Sequence, residues 1–135
     1  MNRIKLYAAC LLLMAALPLA VKADPKPVDH SFFIHLHDQR AMANVTISAV
    51  HVGVVEIAIQ LETIEELPLN AQAVSVTLGN PDKGIAPVTI QALRTADDQW
   101  SVKMPASGAG RWNLGLSITL APANTVSIES PILIY

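Results

Sequence analysis

After residue 40, apolar and polar residues alternate with a period of two almost to the C-terminus, the spacing that gives a β-strand one dry face and one wet face. Val45, Ile47 and Ala49 alternate with Asn44, Thr46 and Ser48, and Val55, Ile57, Ile59 and Leu61 with Glu56, Ala58, Gln60 and Glu62. Val74, Val76 and Leu78 mark a further strand, as do Val88, Ile90 and Ala92, and Trp100, Val102 and Met104. The longest carries Trp112, Leu114, Leu116, Ile118 and Leu120, and the last runs from Thr125 to Tyr135. Turn chemistry separates these segments at Leu67-Pro-Leu-Asn70, Gly79-Asn-Pro-Asp-Lys-Gly84, Ala96-Asp-Asp98, Ser107-Gly-Ala-Gly110 and Ala121-Pro-Ala-Asn124. No segment has the spacing of an amphipathic helix. About seven short strands with closely spaced turns predict an all-β, immunoglobulin-like antiparallel β-sandwich, with a closed barrel as the alternative. Pro131 places the last strand at a sheet edge or breaks it in two. Trp100, Trp112 and Met104 keep step with aliphatic core positions and read as packing.

The first residues follow a different logic. Arg3 and Lys5 precede an apolar run from Leu6 to Val21, and Val21-Lys22-Ala23 has the small-residue pattern of a cleavage site. The expected organisation is therefore a signal peptide over 1–23, a Pro-rich lead over 24–29 and one β-sandwich domain over 30–135. Pro18 and the shortness of the run argue against a retained membrane anchor, so no span is expected after cleavage. Export implies the periplasm. It also removes Cys10, the only cysteine, and with it any disulfide, thiolate nucleophile or cysteine-based copper site.

Three of the nine Lys and Arg residues lie in the expected signal whereas all eleven Asp and Glu follow it, so the 112 residues from Asp24 carry a net charge of −5. That balance argues against nucleic acid, whose phosphates demand basic patches. The mean hydropathy of +0.41 is inflated by the leading apolar run. Enzyme signatures are missing: there is no Gly-x-Ser-x-Gly, phosphate loop or His-Glu-x-x-His, and no enzyme is expected. Glu65-Glu66 and Asp97-Asp98 fall in turns and read as solvated acids. Gly108-Ala-Gly110 reads as a turn, not a nucleotide loop.

The remaining chemistry lies in Ser31-Phe-Phe-Ile-His-Leu-His-Asp38. His35 and His37 are two apart, so on an extended strand both leave one face, together with Phe33; Phe32, Ile34 and Leu36 take the core side. Neutral imidazole suits Cu(II), Zn(II) and Ni(II). Met42 offers a soft thioether suited to Cu(I), and Asp38 a carboxylate that ligates or orients a histidine. His-x-His pairs also occur on strands that hold no metal, and two ligands fall short of the set most metals need. His30 and His51 are weaker candidates, one in the lead and one beside a turn at Gly53.

From His35 onward the chain resembles the soluble extracytoplasmic domain at the C-terminal end of CopD/YcnJ-type copper-transport proteins, and more loosely the YtkA-like and FixH-like β domains. The resemblance is carried by His35-Leu-His37 and Arg40-Ala-Met-Ala-Asn-Val-Thr-Ile47, then Gly53, Val74-Ser-Val-Thr-Leu78 with Asn80-Pro81, Gly84-Ile85 with Pro87, and Gly110-Arg-Trp112. It implies a periplasmic immunoglobulin-like domain that handles copper, with His35, His37 and Met42 at the motif positions. Val54 departs from the proline common after the glycine. Residues 24–135 hold no membrane-spanning part, so binding, buffering or delivery of copper is expected, not transport. The expected partners are the copper ion and a membrane copper transporter or another periplasmic protein. The second reading is a metal-free module that docks on a membrane partner through an exposed sheet edge.

Overall fold

Each alternating segment becomes a strand, and their apolar faces close on one another in two layers. The computed structural model describes residues 31–51 and 53–134; the expected signal peptide, the lead and His30 lie outside them. The strands are β1 (Phe32–His37), β2 (Met42–His51), β3 (Gly53–Glu62), β4 (Ala73–Asn80), β5 (Ile85–Gln91), β6 (Leu93–Ala96), β7 (Gln99–Ala106), β8 (Gly110–Ala121) and β9 (Asn124–Ile134). One sheet has the order β1-β2-β3-β7-β6 and the other β5-β4-β8-β9, with every pairing antiparallel. This is a sandwich and not a closed barrel. The orders β2-β3-β7-β6 and β5-β4-β8-β9 follow the immunoglobulin arrangement of strands A-B-E-D against C′-C-F-G, with β1 added outside strand A.

Nine strands form where seven were expected, for two reasons. The histidine segment is a full strand, β1. The stretch around Val88, Ile90 and Ala92 is two strands: β5 pairs with β4, and β6 pairs with β7 in the opposite sheet. The chain changes sheets at Ala92, a side chain small enough to be buried at the crossing, where its N–H donates to the Val74 carbonyl at 2.8 Å. Alternation cannot reveal such a switch, because the period continues through it. Val88 is consequently 40% exposed on an edge strand instead of lying in the core.

The core is one cluster drawn from both inner faces, including Val45, Ile57, Ile59 and Leu61 from the first sheet and Val76, Leu114, Leu116 and Ile118 from the second. Trp112 is 1% exposed, and its Nε1 donates to the Gly108 carbonyl at 3.1 Å, so the ring is buried without stranding its polar atom. Met104 and Trp100 are also buried. Over Trp100 the Arg94 guanidinium stacks 4.5 Å from the ring centroid and donates to Asn70 Oδ1 at 2.5 Å and to the carbonyls of Asp97 and Ala71. One arginine thereby closes the β6 end of the sandwich and anchors the β3–β4 connection.

Among the described residues, the four edge strands differ in how they resist pairing with another chain. Proline removes a backbone donor from β5 at Pro87 and from β9 at Pro131. β6 has only four residues, carries Arg94 and has a register shift against β7. By contrast, β1 is Phe-Phe-Ile-His-Leu-His in unbroken register from Phe32↔Ile47 to His37↔Met42. Truncating Trp112 to Ala should cost about 3–5 kcal/mol of unfolding free energy. Urea denaturation checks this, with exposed Arg111→Ala as the control expected to shift stability by less than about 0.5 kcal/mol.

Candidate metal centre

The hairpin of β1 and β2 sets the positions of the candidate ligands. Leu36 is buried, which fixes the parity of β1 and turns His35, His37 and Phe33 outward. The imidazoles of His35 and His37 are both exposed, with ring centroids 5.8 Å apart and planes inclined at 36°. A shared ion about 2.0–2.1 Å from each nitrogen needs the two donor atoms within about 4 Å of one another. Rotation about the side-chain torsions of exposed rings at this separation brings them there.

Cross-strand register supplies the neighbours. Met42 lies opposite His37 and Asn44 opposite His35, so all four side chains occupy the outer face of the first sheet. His35 Nδ1 donates to Asn44 Oδ1 at 2.6 Å. A carboxamide oxygen only accepts, so this contact puts the proton on Nδ1 and leaves the lone pair on Nε2. Orienting the second ring nitrogen in this way is how proteins prepare a histidine for a metal. Met42 is half-buried, and Glu62 follows it in the same row on β3. Glu62 stands two strand spacings from His37, roughly 9.5 Å between backbones.

Asp38 stands apart from this group. Its carboxylate accepts the Arg40 backbone N–H at 3.1 Å and pairs with Arg40 Nε at 3.4 Å, organising the Asp38–Ala41 turn. Arg40 also donates to Asn124 Oδ1 at 2.9 Å, tying this turn to the tip of the β8–β9 hairpin. The structure therefore places His35, His37 and Met42 on one face and Asp38 in the scaffold behind them. His51 ends β2 opposite Val54, far along the strand from Met42. Among the described residues, no group of three or more His, Cys, Asp or Glu converges as a metal site, and no helix is long and apolar enough to cross a membrane.

Asn44 was not visible as a partner of His35 from residue types alone. The signal that finds it is the hairpin register: once 38 and 41 close the turn, 37 must face 42 and 35 must face 44. Next to the pair, a shallow groove of about 420 Å³ runs over the same sheet face, lined by Phe33, Asn44, Thr46, Gln60, Gln99 and Ser101 among others. A second hollow, about 330 Å³, lies on the other sheet around Thr77, Gly115 and Glu129 and contains no imidazole or thioether.

No family model matches the chain, and no curated protein matches it. Two solved structures are similar to it. The soluble domain of PmoD from Methylocystis sp. ATCC 49242 (Rockwell) superposes with a TM-score of 0.53 at 10% identity, over 75% of this chain and 97% of that one. The Br derivative of BhCBM56 gives a TM-score of 0.48 at 11% identity, over 75% of this chain and all of that one. The PmoD likeness shows a related β-domain fold, in keeping with the two-sheet topology. In a long-range ¹H–¹⁵N spectrum, His35 should appear at neutral pH as the Nδ1–H tautomer, and Asn44→Ala should return it to the mixture of tautomers seen for an unrestrained imidazole.

Proposed function

We propose that this protein is a periplasmic copper-binding accessory protein, without enzymatic activity, that holds copper at His35 and His37 for buffering or delivery. The observation that carries this reading is the preparation of the pair: two exposed imidazoles 5.8 Å apart on one strand face, one of them with its Nδ1 already committed to Asn44. The donor set fits copper. Two imidazoles suit Cu(II), and the Met42 thioether across the strand from His37 adds a soft donor that favours Cu(I). A thiol-free set of this kind is open on the solvent side, as suits an ion that must be passed on, and unlike the closed four-ligand cage of a structural zinc. The sequence resemblance to the extracytoplasmic domain of CopD/YcnJ-type copper-transport proteins points the same way, and a membrane copper transporter is the partner this reading expects.

Each residue then has a task. His35 and His37 coordinate through nitrogen, Asn44 holds His35 in the binding tautomer, and Met42 tunes preference between oxidation states. Asp38 and Arg40 keep the turn that holds β1 and β2 in register. Titration of the protein with Cu(I) and Cu(II) against competing chelators should show binding that His35→Ala/His37→Ala abolishes. Equal binding by both proteins would reject the site. Asn44→Ala should weaken binding by about tenfold to a hundredfold, the usual cost of losing a partner that orients a ligand. Met42→Leu should lower affinity for Cu(I) more than for Cu(II).

Because only neutral imidazole ligates, protonation competes with the metal: affinity falls as pH falls, and loading releases protons. Calorimetry in two buffers of different ionisation enthalpy measures that release directly.

A further inference from the structure

A site of two imidazoles and one thioether is short of the four donors Cu(II) favours, and among the described residues no third His, Cys, Asp or Glu converges on it. Among the described edge strands, the pair also sits on the one that carries no proline, charge or register shift. We infer that copper is completed by a second copy of this chain, through antiparallel pairing of β1 with the partner's β1 about a two-fold axis at Leu36. This inference rests on the copper reading above and deepens it.

The backbone is set up for that pairing. The Asp38 N–H donates to the Ala41 carbonyl at 2.9 Å, which makes 38 and 41 a hydrogen-bonded pair. Hydrogen-bonded and non-bonded pairs alternate along an antiparallel ladder, so 36↔43 bonds inward while the amide groups of His37 and His35 point to the open edge. With the two-fold axis at Leu36, His35 of one copy lies opposite His37 of the other, and those outward groups bond to each other. The axis stands perpendicular to the sheet, so both copies present their histidines on the same side.

Four imidazoles then meet on one surface. Their backbone positions are separated by roughly 5.5 Å across the new pairing and roughly 6.6–6.8 Å along each strand. Four nitrogen donors in a shallow patch match the tetragonal preference of Cu(II). The same arrangement explains why an uncharged edge is retained here, when β5, β6 and β9 each carry a feature that blocks pairing. Leu36 of both copies lies at the axis on the core side, where it is already buried.

Sedimentation velocity and metal analysis of the protein across a Cu(II) titration test the inference, together with electron paramagnetic resonance of the loaded form. The expected result is a dimer that forms on loading, with one ion for two chains and hyperfine coupling from four imidazole nitrogens in two symmetry-related pairs. His35→Ala/His37→Ala should remain monomeric with Cu(II) present. One ion per chain on a wild-type monomer would overturn the shared site while leaving the copper reading intact. A dimer that forms equally without metal would overturn the linkage. Absence of any copper binding would overturn both.

Discussion

Burial of one face of each sheet is the constraint from which the rest of this structure follows. Apolar residues at every second position must meet those of the opposite sheet, and the cluster that includes Ile57, Ile59, Leu114 and Leu116 leaves no room for a strand to slip by one residue. Parity then becomes a positioning device. With Leu36 held against the core, His35 and His37 must project to solvent, and with Val45 and Ala43 buried, Asn44 and Met42 must stand beside them. The candidate centre is thus held by the packing on the far side of the same strands.

That arrangement lets a rigid sheet carry exposed ligands. The backbone of β1 and β2 is fixed by the ladder, and Arg40 fastens the turn between them to the β8–β9 hairpin through Asn124. Among the described residues, by contrast, nothing covers the imidazoles. His35 is restrained by one hydrogen bond and His37 by its neighbours alone, so the site combines a fixed spacing with rings free to turn towards an ion. A buried site would bind more rigidly and exchange more slowly. Exposure is the arrangement that the proposed delivery of copper requires.

The edges of the sandwich show a division of labour. Pro87, Pro131 and the short, arginine-bearing β6 protect three of them in the ways open sheets ordinarily avoid uncontrolled pairing. The fourth is β1, and it carries the histidines. Edge and ligand pair coincide on six residues, so the features that make this strand sticky are the ones that give it chemistry.

The strands, the turns, the inward tryptophans and the outward histidines were legible in the sequence, because a period of two and the identity of turn residues act locally. Pro131 was legible too, since a residue without an N–H belongs at an edge. Three things were decided only by tertiary structure. The crossing at Ala92 is invisible to alternation, because an inward residue looks the same whichever sheet it serves. The anchoring of the Asp38–Arg40 turn depends on Arg40 reaching Asn124, which lies 84 positions away. The pairing of His35 with Asn44 is a matter of register across a hairpin. Periodicity along one strand determined which way each side chain points, and only the pairing of strands determined what it meets there.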